Sequence, residues 1–306
     1  MHDHGHDHGA SAETEIRPLP VALALIVAFM AVEVAVAVVA DSLALLSDAA
    51  HMLVDAGALG LSVWAARLAR RPASGGMTFG FRRAEILAAQ ANGITLLLLG
   101  LAIVVEAIRR LVSPPDVRGG LVLATAIVGA AVNVAALWQV SRANRRSLNV
   151  EGSFRHLLTD LYAFAGTAVA GLIVWTTGFQ RADPIASIAV AASMLLTAWP
   201  LLRRSGRVLL EGAPEGVSPE EIAAAIGAHT GVTNVHDLHV WEISSGFPAL
   251  SAHVLVGRGE DCHTIRRDLE AMLHERFAID HTTLQVEHTS DRLLEIRPLR
   301  NLRRDR

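Results

Sequence analysis

Six apolar stretches, each about as long as a bilayer is thick, decide most of what this chain can become. A spanning helix needs roughly 20 apolar residues, and such stretches lie near 19–40, 43–67, 84–112, 118–141, 150–177 and 184–204. In hydrocarbon the backbone amides and carbonyls must be satisfied within their own segment, so each stretch is predicted to be a helix. The links are short: Asp41-Ser42 after the first, the Pro114-Pro115 region after the third, and Gln180 to Asp183 after the fifth. Composition agrees, with 52% hydrophobic and 19% charged residues among 306.

After Arg207 the composition turns to that of a small soluble domain. Ser218-Pro219-Glu220-Glu221 reads as an N-cap, a first-turn proline and a capping-box glutamate, opening a helix to about His229. Strands are predicted from Val235 to Ile243 and from Ala249 to Val256, joined across Ser244-Ser245-Gly246. Asp261 caps a helix to about Phe277, and a last strand runs from about Thr282 to His288. The expected fold class is therefore an α-helical membrane protein of six transmembrane helices, followed by a small α+β domain of order αββαβ. The expected segments are a His/Asp-rich tail over 1–18, the membrane domain over 19–207, the small domain over 208–290 and an Arg-rich tail over 291–306.

Basic residues set the expected orientation. Every one of them is Arg. Arg67, Arg70, Arg71, Arg82 and Arg83 crowd the second connection, Arg142, Arg145 and Arg146 the fourth, and Arg203, Arg204 and Arg207 follow the sixth stretch. The alternate connections hold only Arg109, Arg110, Arg118 and Arg181. Both termini and the small domain are thus expected in the cytoplasm, the protein crossing a cell (inner) membrane. The N-terminus lacks a basic-then-apolar signal pattern and is expected to be retained. Its MHDHGHDHG run is too polar for a core; it reads as a metal-collecting tail, or as a cloning tag of unusual composition.

Several function classes fall away. A net charge of −3 argues against a nucleic-acid partner. The single Cys262 excludes an intrachain disulfide and Cys-rich metal modules. No G-x-x-x-x-G-K-[ST] loop for nucleotide phosphates and no H-E-x-x-H occurs.

Two H-x-x-x-D pairs remain, His51 with Asp55 in the second stretch and His156 with Asp160 in the fifth. Positions i and i+4 share a helix face. Two such helices side by side present two imidazoles and two carboxylates to one point. An intramembrane Asp costs about 2.5–3.5 kcal/mol on insertion scales and marks a pathway or a partner. Four N/O donors suit a tetrahedral ion, zinc above all, and fit Mg²⁺ or Ca²⁺ poorly. The binding forms are neutral His and ionised Asp, so metal and protons compete for the site. Alternatives are a hydrogen-bonded structural pair, or a proton relay without metal. At the level of the whole protein they are a membrane metalloenzyme, or a metal sensor with a membrane anchor. The enzyme needs an open coordination position that four ligands close, and the anchored sensor leaves the quartet unexplained.

The run Ser47 to Asp55, Phe79-Gly80-Phe81-Arg82-Arg83-Ala84-Glu85-Ile86-Leu87, Ser147-Leu148-Asn149-Val150 ahead of His156 and Asp160, and Val235-His236-Asp237-Leu238-His239-Val240-Trp241 together resemble the cation diffusion facilitators, in their bacterial zinc-exporting branch. The resemblance covers about 19–290. It implies a homodimer whose protomers exchange a cytoplasmic divalent metal for protons by alternating access, with His51, Asp55, His156 and Asp160 as the transport ligands. His at position 51 resembles the zinc-selective pattern, with cobalt and cadmium as lesser substrates. The resemblance further implies that His236, His253 and His288 hold zinc in the small domain at the dimer interface; His263, with Cys262 beside it, is read as a ligand that bridges such a site. It also implies that Arg83 and Glu211 form an ion-pair interlock between the membrane and soluble parts. The stretch from Arg67 to Phe81 contains no Asp, Glu or His, so no metal site is expected there.

Lesser polar residues complete the reading. Asp48 lies on nearly the same face as Asp55, either as an outer stop on the path or as an interfacial carboxylate. Glu33 lines the cavity in one reading, Glu106 sits near the end of its span, and Asn92 and Asn133 are expected to hydrogen-bond between helices. His239 is expected to pack around Trp241, and His229, His274 and His281 are read as ordinary surface residues.

Overall fold

The computed structural model describes the backbone of residues 18–141 and 148–289, and the side chains of 27–138 and 158–289. The N-terminal His/Asp run, the Arg-rich end and the side chain of His156 lie outside the described residues. Six long helices come first: α1 Pro18–Ala40, α2 Leu43–Ala69, α3 Ala84–Val112, α4 Gly119–Ser141, α5 Leu148–Thr177 and α6 Ala182–Leu209. Over the described residues α2 to α6 are each long and apolar enough to cross a membrane, while α1 contributes the shorter apolar segment Val27–Ala40. Exposed Leu53, Leu98, Leu196 and Trp199 make an outer surface that water would not tolerate, and Trp64, Trp138 and Trp175 lie near helix ends, where interfacial aromatics belong.

The short connections lock together at one end of the bundle. Asp183, in the first turn of α6, is buried and accepts hydrogen bonds from the Ser42 hydroxyl and from the amide of Leu43 at 2.8 Å. Ser42 accepts in turn from the amide of Leu45 at 3.2 Å. A carboxylate from one helix thereby satisfies the orphan amides that begin another. Beside it the Arg118 amide donates to Ala40 O, the Val117 amide to Gln180 Oε1 and the Arg181 Nε to Leu111 O. Arg110 bridges Asp41 at 3.1 Å and Glu106 at 3.2 Å.

Close packing of α4 on α5 depends on glycine. A Cβ at Gly171 would lie 2.6 Å from the backbone nitrogen of Leu123, and one at Gly119 would lie 2.5 Å from that of Trp175. Small residues of this kind let transmembrane backbones approach. Phe29 of α1 meets Phe164 of α5 edge to face, with ring centroids 5.6 Å apart. Between α3 and α6, buried Leu96, Ile103, Ala191, Met194 and Ala198 form a core of their own.

The small domain follows the expected order: α7 Pro219–Gly227, β1 Val232–Ser244, β2 Phe247–Val256, α8 Cys262–Phe277 and β3 His281–His288. Ser218 caps α7 by accepting from the Glu221 amide, with Pro219 opening the helix. β1 pairs antiparallel with β2, and β2 pairs parallel with β3. Ile222 and Ile226 of α7 and Leu269 and Leu273 of α8 bury against Leu250, Val254 and Val256 of the sheet. The two helices cover one face, so alternate strand residues such as His253 point to the other.

By compactness the chain divides into two units, 1–65 with 88–203, and 66–87 with 204–306. The connection between α2 and α3 therefore groups with the small domain. Within that unit Phe79 and Phe247 flank the ring of His281 at 5.8 and 5.7 Å, and Arg82 lies over Phe247 at 4.5 Å.

Candidate metal centre

α2 carries His51 and Asp55 one turn apart, and their side chains meet, with His51 Nε2 3.4 Å from Asp55 Oδ2. His51 is 9% exposed. Asp160, on α5, shares with His51 the wall of a cavity of about 440 Å³ whose remaining lining is mostly apolar, including Ala163, Gly166 and Val190. A second void, of about 20 Å³, also meets Asp160, between Met52, Asn133 and Phe164. Three of the four predicted ligands thus come from two helices that face one cavity. His156 lies four residues before Asp160 on the same helix, one turn away. Among the described residues no three His, Cys, Asp or Glu side chains close around a point as metal ligands.

More carboxyl groups gather here than the two pairs supply. Asp48, three residues before His51, is 2% exposed and within electrostatic reach of Asp160. Glu33 of α1 is fully buried and adjoins Asp48, close enough for the two carboxyl groups to interact. Asn133 is buried, yet its Oδ1 has no hydrogen-bond partner among the described residues, so the expected interhelical bond is not made at that atom.

In the small domain His236 and His253 are register partners across β1 and β2, with ring centroids 5.3 Å apart. His288 is not with them. It pairs with Val256, three residues further along β2, and its Nε2 lies 2.9 Å from Glu260 O. His263, in the first turn of α8, donates its backbone amide to Asp261 Oδ1 at 3.0 Å. Sequence reasoning passed over Asp237. It sits at a β-bulge with φ +52°, its Oδ1 3.0 Å from His239 Nε2 and its Oδ2 3.8 Å from His253 Nε2. The signal was present in the H-D-L-H run, since Asp tolerates the left-handed backbone a bulge demands. His239 corrects an expectation: its side chain is 65% exposed and bonded to Asp237, because the bulge turns it out of the packing around Trp241. Arg83 reaches Glu211 at 3.1 Å and donates its Nε to Ile243 O at 3.4 Å, tying the 66–87 connection to the domain.

Residues 19–210 match the family described as the cation efflux transmembrane domain, and residues 214–289 match the cytoplasmic domain of cation efflux proteins. The chain belongs to the cation efflux family, the cation diffusion facilitators. Among similar members, the cadmium, cobalt and zinc/H⁺-K⁺ antiporter of Bacillus subtilis is 35% identical over 92% of this chain and 93% of its own length. The metal cation efflux system protein CzcD of Cupriavidus metallidurans is 37% identical over 87% of this chain and 84% of its own. The zinc transporter ZitB of Escherichia coli is 37% identical over 85% and 83%. This cation efflux protein is a multi-pass membrane transporter, and the metalloenzyme reading falls with that.

Proposed function

We propose that this protein exports Zn²⁺ from the cytoplasm in exchange for protons, with Co²⁺ and Cd²⁺ as lesser substrates, and that His51, Asp55, His156 and Asp160 hold the ion in transit. The observation that carries this reading is the cavity shared by His51 and Asp160, with Asp55 already against His51. Two imidazoles and two carboxylates neutralise a divalent ion and supply the four donors that zinc prefers. Metal binds the deprotonated imidazoles, so protons entering from the opposite side displace it. Alternating access then needs only that the cavity open to one side at a time. Both termini are assigned to the cytoplasm from the distribution of Arg.

In the soluble domain, His236 and His253 are the inner pair of a zinc site. His288 lies too far along the sheet to join them within one chain, which fits its pairing, with His263, across a homodimer. Bound zinc there ties the two protomers together on the sheet face that the domain's own helices leave open.

Cobalt in place of zinc tests the quartet, because a four-coordinate N/O shell gives Co²⁺ strong visible absorption. The protein with His236, His253, His263 and His288 replaced by Ala, and with the histidines of the MHDHGHDHG run replaced as well, is expected to show that absorption. Adding His156→Ala or Asp55→Ala is expected to abolish it. Undiminished absorption after His156→Ala contradicts the assignment.

A further inference from the structure

Glu33 is the least explained residue in the bundle. It is fully buried, on a helix that supplies none of the four transport ligands, and neither carboxyl oxygen has a hydrogen-bond partner among the described residues. Its neighbour Asp48 is 2% exposed, and Oδ2 there also lacks a hydrogen bond. Among the described residues no Arg forms an ion pair with either carboxyl, and two acidic groups buried side by side without a compensating cation carry a cost of several kcal/mol. Intramembrane carboxyls held at such cost mark ion pathways.

Position says which pathway. Asp48, His51 and Asp55 are spaced i, i+3, i+7 on α2 and form one stripe along it. Asp48 is the member nearest the Ser42 end, and it senses the charge of Asp160. Glu33 lies seven residues before the end of α1 at Ala40, which the Arg118 amide contact places at that same end of the bundle. Along α2 and α1, the carboxyls of Asp48 and Glu33 thus come next after His51 toward the Ser42 end. Building on the reading of the quartet as the transport site, we propose that Glu33 and Asp48 form a second, all-oxygen binding step for the transported divalent cation, between the quartet and the Ser42 end. Its two carboxylates neutralise the ion in full, and its lack of imidazole makes it a weaker host for zinc than the quartet. Weak binding suits a step that must pass the ion on.

The test is metal and proton flux measured together in proteoliposomes carrying the full-length protein, wild type beside Glu33→Gln and Glu33→Asp. Loading at the quartet does not involve Glu33, so Glu33→Gln is expected to lower maximal zinc flux about tenfold or more while half-saturating zinc stays within about twofold. Glu33→Asp is expected to restore part of the flux. Cadmium, the softer ion, depends less on carboxylate oxygen, so its flux is expected to fall by a smaller factor than that of zinc. Protons moved per zinc are expected to stay constant. Unchanged zinc flux in Glu33→Gln overturns the proposal. So does an equal fractional loss for zinc and cadmium, which marks a structural role, and so does a fall in protons per zinc, which makes the pair a proton carrier. Should Glu33→Gln not assemble, Asp48→Asn is read by the same outcomes. Asp55→Asn, run alongside, separates the two claims, since zinc flux that survives it sinks the quartet whatever Glu33 does.

Discussion

Asp183 shows how one side chain sets the geometry of the bundle. It is buried at the start of α6, and its carboxylate accepts from Ser42 and from Leu43 at the start of α2, the helix that presents His51 and Asp55. Asp183→Ala leaves those donors unsatisfied, so a loss of about 1–3 kcal/mol is expected, read as a lower thermal midpoint of the full-length protein in detergent. Asp183→Asn keeps an acceptor and is expected to lose less. Asp261 caps α8 in the same manner, outside the membrane. The Thr264 hydroxyl, then the amides of His263 and Thr264, hold its carboxyl below the ordinary aspartate range. A folded-state pKa that is depressed gives stability that is present above the unfolded value and is lost as pH falls through the folded one. The soluble domain is therefore expected to lose this contribution only below about pH 4, the ordinary Asp value. Thermal midpoints of wild type and Asp261→Asn measured from pH 7 downward check this, the gap between them closing in acid.

At the scale of elements, the helices were the most legible part of the sequence, because a bilayer-length apolar run has one satisfactory backbone solution. α3 coincides with the expected 84–112, and the soluble domain keeps its expected order, since the caps at Ser218 and Asp261 are local chemistry. Contacts between elements were less legible. The cap from Asp183 to α2 joins residues 140 apart, and the glycines that let α4 meet α5 gain their meaning only from the neighbour they touch. Asp237 and His239 were misjudged because a bulge reverses the inside–outside alternation that strand reading assumes. Gly171→Leu places a branched side chain against the backbone of Leu123, and it is expected to separate α4 from α5 and to lower the thermal midpoint of the full-length protein by several degrees or prevent assembly. Ala at the exposed Gly60, where a Cβ meets nothing within 4 Å, is the control and is expected to be neutral.

Over the whole molecule, the two H-x-x-x-D pairs were legible because each is a cost inside an apolar helix, and the fold brings His51 of one and Asp160 of the other to a common cavity. The carboxyls of Glu33 and Asp48 were visible as polar residues, but their mutual approach was not, because it depends on how α1 lies against α2. The soluble domain is bound into the same unit as the 66–87 connection through Arg83 and Glu211; that ion pair is 38% and 63% exposed on its two sides, so by itself it contributes about 0–1 kcal/mol, and the Arg83 bond to Ile243 O and the aromatic contacts around His281 share the task. The central claim, that this cation efflux protein exchanges zinc for protons through the quartet, is tested most directly by zinc flux into proteoliposomes carrying a pH gradient, wild type beside Asp160→Ala. Zinc accumulation driven by the proton gradient in the wild type and absent in Asp160→Ala is the result predicted. Zinc flux that Asp160→Ala leaves intact, or that ignores the proton gradient in the wild type, would contradict it.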